Sequence, residues 1–389
     1  MPRRSSSPAV CPRRLVLIAA LYLALPRSGR GEDAVAYKFQ SWQEDSGRIR
    51  VDAHYGLIEK DLTVDAKLRL TGVIDTIAGA TPTGEPPQPG SDQVPLAQLE
   101  ERRQAWQAEF SKQLSRVGVT AGFASSRESD YVSKALSLNT QIDFNARNTT
   151  VLVGMARADD DVRPTFFAES RDKRTDEIIV GITQVLSPRT SLTANFTYSA
   201  ADGYLSDPYK IVRKTTEVLP GVVLPLTFPE NRPDRKRKRI LYTALNHRIE
   251  RFDAAIEASW RLLDDSFGTT SHTLAVEWFQ RLGPRVILRP AIRFYEQTEA
   301  DFYYADLDPT PIVPVAAPDG TGPYYSADYR LAALRTWTLG FKVVWEVRPW
   351  MSVDATYERY LMEGRDGGRT SASAFVDADV FTVGIRLWR

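Results

Sequence analysis

The chain has 389 residues, with 50 Lys and Arg against 49 Asp and Glu, a formal net charge of +1 and a single cysteine. That balance leaves no electrostatic footprint for nucleic acid, and one thiol excludes an intrachain disulfide framework. No segment beyond the N-terminus approaches eighteen consecutive apolar residues, which excludes a hydrophobic spanning helix.

Arg3, Arg4, Arg13 and Arg14 precede the apolar run Leu15–Leu25. This is the pattern of a secretory signal peptide over residues 1–30, with cleavage near Gly29–Gly31, leaving 31–389 as one domain. Cys11 lies before the apolar run and is a poor acceptor for a lipid anchor.

Apolar residues then recur on every second position. Val35, Tyr37 and Phe39 open the series. Residues 48–70, RIRVDAHYGLIEKDLTVDAKLRL, hold two such runs: Ile49, Val51, Ala53, Tyr55 and Leu57, then Leu62, Val64, Ala66, Leu68 and Leu70. Arg48, Arg50, Asp52, His54, Thr63, Asp65, Lys67 and Arg69 alternate with them. Period two places one set on each face of a strand. Runs of about ten residues are the length that a tilted strand needs to cross a bilayer, and Glu59–Asp61 is read as the tight turn between them.

Further runs follow at Trp106–Leu114, Val117–Phe123, Leu136–Phe144, Val151–Met155, Ile178–Ile182 and Leu192–Tyr198. A strand over Ile240–Ile249 has an ambiguous phase. Ala254–Leu262, Leu274–Leu282, Val286–Phe294, Trp337–Val347, Met351–Tyr357 and Phe381–Leu387 complete about sixteen strands. From the second strand on, tight turns (115–116, 147–148, 187–189, 250–251, 283–285, 348–350) alternate with long connections (roughly 74–101, 158–173, 203–234, 298–326, 363–374). Within the first of these, the Pro-rich stretch Thr81–Pro95 is expected to lack regular structure, and Val94–Gln107 to hold a short helical turn.

The pattern predicts an all-β fold: a transmembrane antiparallel barrel with short periplasmic turns and long external loops, in the outer membrane. Aromatic residues on the apolar face, including Tyr37, Tyr55, Trp106, Phe144, Tyr198, Trp260, Trp278, Phe294, Trp337, Trp345 and Tyr357, fit the girdles of such a barrel. The charged face then lines the lumen: Arg48, Arg50, Asp52, His54, Asp65, Lys67, Arg69, Glu257, Arg261, Glu277, Arg281, Arg289, Arg293, Lys342, Glu346, Asp354 and Glu358, with Glu109 and Asp143 beside them. Both signs occur in near balance, which favours neither strong cation nor strong anion selectivity.

The stretches IDTIAGATPTGEPP, TQVLSPRTSLTANFTY, GYLSDPYK, ENRPDRKRKR, DDSFGTTSHTLAVEWFQRLGPR, EADFYYADL and YYSADYRL resemble, in this order, the bacterial family called domain of unknown function 3570. The resemblance spans essentially the whole chain after the signal. It implies an outer-membrane-type barrel of unassigned activity and transfers no catalytic or binding residue. The chain ends in Trp388-Arg389 rather than in an aromatic residue, so recognition by the barrel-assembly machinery is expected to use Trp388 or Phe381.

Catalytic and metal residues are not expected, nor is a cofactor. His54, His247 and His272 are scattered, and the adjacent Asn246 and His247 fall on opposite faces of a strand, against a Ser–His–Asn arrangement. The acidic stretches at Asp159–Asp161, Asp264-Asp265 and Asp306 with Asp308 lack regular calcium-ligand spacing. The basic run Arg235–Arg239 begins at the outer end of its strand, placed to meet lipopolysaccharide phosphates or an anionic solute. The expected surroundings are outer-membrane lipid, lipopolysaccharide and the assembly machinery. The leading expectation is a porin-like pore for small solutes, the alternative a non-conducting scaffold that docks a partner protein, and the third a barrel-embedded hydrolase.

Overall fold

The computed structural model describes residues 33–164 and 167–389; the signal-peptide expectation for residues 1–30 lies outside them. Sustained alternation produces eighteen strands: β1 (Ala34–Glu44), β2 (Arg50–Thr63), β3 (Ala66–Pro82), β4 (Leu96–Leu114), β5 (Val117–Arg127), β6 (Tyr131–Phe144), β7 (Thr149–Val162), β8 (Arg171–Ser187), β9 (Thr190–Gly203), β10 (Ile211–Leu219), β11 (Val222–Pro229), β12 (Arg235–Ile249), β13 (Ala254–Asp265), β14 (Thr270–Leu282), β15 (Val286–Gln297), β16 (Leu334–Arg348), β17 (Met351–Gly364) and β18 (Ala378–Trp388). Sixteen close into one antiparallel barrel, and β10 and β11 form a separate two-stranded sheet. The barrel is sealed by β1 against β18, from Ala34 opposite Trp388 to Glu44 opposite Ala378. Sealing removes the unpaired edge that could not exist in hydrocarbon.

Directly opposed residues of an antiparallel pair share a face, so the register assigns every side chain. One face carries exposed Trp106, Phe110, Leu136, Met155, Ile178, Phe196, Leu274 and Trp345, and it is the outer one. β12 falls into this scheme without ambiguity, because Leu241 lies opposite both Phe196 and Leu262.

β2 corrects the reading of residues 48–57. Phe39, on the outer face, lies opposite His54, and Ser41 lies opposite Asp52. Arg50, Asp52 and His54 therefore face outward, while Val51, Ala53, Tyr55 and Leu57 face inward. The strand runs on to Thr63, so the turn is Val64-Asp65 rather than Glu59–Asp61. Asp65 belongs to that turn, bound to Lys112 at 2.7 Å, and Arg48 to the connection between β1 and β2. The inward residues of β2 pack within a mixed part of the inner wall, where Ala53 lies opposite Gln40 and Asp75 and Val51 opposite Trp42 and Ile77. Ala53 is buried, and the inward Trp42, which pairs with Val51, meets the Tyr360 ring at 5.2 Å. The outward charges neutralise one another: Arg50 lies 3.0 Å from Asp52, Ser41 donates to Asp52 at 2.7 Å, and Tyr37 Oη lies 2.8 Å from His54 Nδ1.

The two ends of the barrel differ. At one end the connections are tight (64–65, 115–116, 145–148, 188–189, 250–253, 283–285, 349–350). At the other end they include 83–95, 204–234, 298–333 and 365–377, yet also the short 128–130 and 266–269. The alternation of tight and long is thus not strict. Where loops were expected, strands continue: β3 and β4 pair as far as Pro82 opposite Leu96, so residues 96–107 of the expected helical turn are strand instead.

Candidate functional site

The inner wall is built by alternation on strands that the outer face fixes in phase. Lys67, Arg69, Glu257, Arg261, Glu277, Arg281, Arg289, Arg293, Lys342, Glu346, Asp354 and Glu358 all occupy inner-face register positions, as do Glu109 and Asp143. Several form rungs across neighbouring strands: Arg289 to Glu277 at 2.5 Å and Lys342 to Asp354 at 2.8 Å. Like charges also face each other directly, Glu257 opposite Glu277 and Arg289 opposite Lys342. Among the described residues, Glu257, Arg261, Arg293, Glu346 and Glu358 make no ion pair. Such a wall is stable only when water reaches it.

The wall of β5–β9 carries fewer inward charges, among them Asp143, Glu177 and the Asp160–Lys173 pair. Thr120 lies opposite Asn139 and Asn139 opposite Gly154, while Gly181 lies opposite Leu152 and Asn195, all at inner-face positions. The lumen thus carries its charges most densely on β13–β17 and mainly uncharged side chains on β5–β9.

Sequence reasoning missed one cluster at the β1–β3 seam. Glu59 accepts from Arg69 at 2.7 Å and from Arg386 at 2.7 Å, and Arg103 pairs with Asp75 at 2.6 Å. Glu59 was hidden by its assignment to a turn. The signal available was Arg69 itself, which pairs across a hairpin only if β2 extends past residue 59.

The wide-loop end is closed by a cap. Ile211, at the start of β10, donates its backbone N–H to Thr83 O at 3.0 Å. The segment holding Ile211 connects β9 to β12, which stand six and seven places from β3 in the ring of sixteen strands. The segment therefore crosses the mouth. Lys210 Nζ reaches the Pro82 carbonyl, and a Cβ on Gly84 would lie 2.5 Å from Ile211 O, so only glycine permits the approach. Lys214 Nζ gathers the carbonyls of Leu307 at 2.7 Å and Thr310 at 2.6 Å, and Asn231 and Tyr325 exchange backbone hydrogen bonds at 2.9 Å. From the far side, Ser371 and Ser373 hydroxyls donate to Asp92 O at 2.7 Å, and Arg48 donates to Ser373 O at 3.0 Å.

The cap's centre is ionic. Arg232 donates to Glu230 at 3.0 Å and to Asp328 at 2.8 Å, and Arg330 donates to Asp328 at 2.9 Å and reaches Asp207. Ser326 adds a bond to Glu230 at 2.5 Å. Glu230, Asn231, Ser326 and Asp328 are essentially inaccessible to solvent. Burial pushes the Glu230 carboxyl up, outweighing Arg232. For Asp328 burial acts upward too, but Arg330 and Arg232 hold its carboxyl well below the usual range. Two apolar clusters flank this centre: Phe267, Phe302, Tyr303, Leu331 and Phe375 in one, Val212, Leu307 and Tyr325 in the other.

The remaining candidates are dispersed. His54, His247 and His272 all lie on the outer face, beside Tyr37, Thr190 and Trp260 respectively. Asn246 and His247 point to opposite faces. The acidic stretches are engaged in pairs: Asp159 with Arg174, Asp160 with Lys173, Asp264 with Arg239, Asp265 with Lys236, and Asp308 with Thr215. Phe381 is exposed on the outer face, whereas Trp388 holds an inner-face register position opposite Ala34.

A family model described as "Protein of unknown function (DUF3570)" matches residues 18–373. Comparison of the sequence with curated proteins gives no match. Solved structures share the barrel: CdiB from Acinetobacter baumannii has a TM-score of 0.51 at 9% identity, over 93% of this chain and 61% of its own. The siderophore receptor PirA from Pseudomonas aeruginosa has a TM-score of 0.45 at 11% identity, over 92% of this chain and 62% of its own. An OmpT loop-deletion mutant, an outer membrane protein of Vibrio cholerae, has 0.41 at 10% identity, over 92% of this chain and 99% of its own. This chain thus spans less than two thirds of the length of PirA and CdiB, and at these identities the likeness concerns the fold alone.

Proposed function

The chain belongs to the family of proteins of unknown function DUF3570, and we propose that it is an outer-membrane pore for small polar solutes whose outer mouth is closed at rest by its own loops. The supporting observation is the Ile211–Thr83 contact across the mouth of a lumen lined by ionised residues of both signs. In a bacterial outer membrane the tight turns face the periplasm and the cap faces outward. Sixteen strands belong to the class that leaves an aqueous channel. Among the described residues, no segment crosses the tight-turn end. The cap adds no strand to the barrel, so it can move aside while the barrel's own ladder stays intact. The exposed outer position of Phe381 suits it to recognition by the assembly machinery.

A non-conducting scaffold is the second reading, favoured by the β10–β11 tip, where Leu219, Val223 and Leu224 are exposed. Conductance in planar bilayers separates the two. The full chain should open rarely, and a variant with residues 211–229 replaced by a short Gly-Ser link should conduct steadily. If both stay silent while running on gels as folded barrels, the pore reading fails and the scaffold reading stands.

A further inference from the structure

The run Arg-Lys-Arg-Lys-Arg at 235–239 lies on β12, where alternation separates its two residue types. Arg239 lies opposite Tyr198 and Asp264, both on the outer face, so Arg235, Arg237 and Arg239 point outward. Lys236 and Lys238 point inward, and Lys236 is held by Asp265 at 2.7 Å. The outer wall therefore receives only guanidinium groups, whose planar fork matches a phosphate bidentately, while the ammonium groups serve the interior.

Position identifies the ligand. The next outward residue on β12 is Leu241, flanked by Phe196 and Leu262. The arginine column thus begins where the apolar band ends, with the exposed Tyr198 at the boundary. This is the level of lipid headgroups. Nearby outer charges are closed pairs, Arg157 with Asp176 at 2.6 Å and Arg174 with Asp159 at 3.0 Å. The column is not closed. Arg237 holds Asp202 at 2.9 Å, which leaves Arg235 only a 3.7 Å contact to the same carboxylate and Arg239 a 3.6 Å contact to Asp264. The Arg235 and Arg239 side chains are 75% and 71% exposed. Alternate strand residues repeat at about 6.6–6.8 Å, so the two flanking arginines stand about 13 Å apart.

We propose that Arg235, Arg237 and Arg239 form a binding site for the phosphate groups of a phosphorylated lipid in the leaflet surrounding the capped end of the barrel. Arg237, steadied by Asp202, orients the column, and Arg235 and Arg239 each supply a fork to one phosphate. The inference rests on the barrel spanning the outer membrane, and the test keeps the two apart.

The full-length protein is folded in detergent doped with a bis-phosphorylated glycolipid or with its dephosphorylated counterpart, and lipid adducts are counted by native mass spectrometry. Heat-modifiable gel mobility reports the barrel independently. Wild type should retain the phosphorylated lipid about tenfold over the other, the equivalent of one charge-assisted contact. Arg235→Gln with Arg239→Gln should lose that preference at unchanged gel mobility, and Arg235→Lys with Arg239→Lys should keep part of it. Arg157→Gln, in a closed pair, should keep all of it. Equal retention of both lipids, or full retention by the Gln double variant, overturns the site while an intact gel shift leaves the barrel standing. Displacement of the lipid by millimolar inorganic phosphate overturns the lipid assignment in favour of a free-anion site.

Discussion

The backbone N–H of Ile211 and the carbonyl of Thr83 meet at 3.0 Å, although the strands that flank them stand nearly opposite in the barrel wall. A contact of this kind cannot form without a chain segment over the mouth. It is also made by backbone groups alone, so its strength depends on how closely the two segments approach.

Gly84 controls that approach. It has φ +106, and a Cβ there would lie 2.5 Å from Ile211 O and 3.3 Å from Ala327 O. Gly84→Val should loosen the cap by about 1–3 kcal/mol through backbone strain plus clash. The expected readout is a higher open probability in bilayers with the barrel's gel mobility unchanged. An unaltered open probability would show that residues 83–84 do not hold the cap.

Cap closure should depend on pH with opposite signs on two arms. Glu230 binds its proton more tightly in the closed cap than in solvent, because burial raises it. Closure therefore strengthens as pH falls through that raised value toward the ordinary carboxylate range. Asp328 is depressed in the closed cap, so its contribution is complete above its unfolded value and is lost as pH falls toward the folded one. Opening should decline as pH falls from the alkaline side toward the ordinary carboxylate range and recover only as pH falls below the ordinary Asp value. Glu230→Gln should flatten the upper arm. Opening that rises steadily as pH falls toward the ordinary carboxylate range would reverse the assigned sign.

Neighbouring positions on β15 should behave in opposite ways. Arg289 and Arg293 occupy the inner face and Leu288 and Ile292 the outer one. Arg289→Ser with Arg293→Ser should fold normally and shift the reversal potential toward cations, since fixed lumen charge acts on permeating ions at short range. Ile292→Arg should impair insertion by about 2–4 kcal/mol if it sits near mid-membrane. Equal insertion of both variants would contradict the assignment of faces.

The inverted phase of β2 has its own test. Spin labels at single cysteines replacing His54 and Tyr55, in a Cys11→Ser background, should report different surroundings. The label at 54 should collide with oxygen dissolved in lipid, and that at 55 with a water-soluble nickel complex. The reverse result would restore the charged residues of β2 to the lumen.

The regions that the sequence made legible are those where one rule operates alone. On β13–β17 the outer face meets lipid and the inner face meets water, so Trp260, Val276, Ile292 and Tyr357 alternate cleanly with Glu257, Glu277, Arg289 and Glu358. On β2 a second rule intervenes. Its apolar residues pack inward against side chains such as Trp42, and its charges Arg50 and Asp52 stand outward beside Gln43, Ser41 and Thr76, so the same alternation carries the opposite meaning. The cap was illegible for another reason: Thr83, Ile211, Asn231 and Tyr325 are joined only by contacts distant in sequence. The β10–β11 hairpin did carry a local signal, Pro220-Gly221 between Glu217–Leu219 and Val222–Leu224, with Gly221 at φ +80. Its prolines at 225 and 229 argued against a strand, but an isolated two-stranded sheet tolerates them at its edges.

A reversible cross-link between Thr83→Cys and Ile211→Cys, in the Cys11→Ser background, tests most directly whether the cap gates the lumen. Bilayer recordings before and after reduction give the answer on one preparation. The oxidised protein should be silent and the reduced protein should show openings that re-oxidation abolishes. Identical conductance in both redox states, with the cross-link verified by mass, would mean that solutes pass without cap movement and that the cap does not gate the barrel.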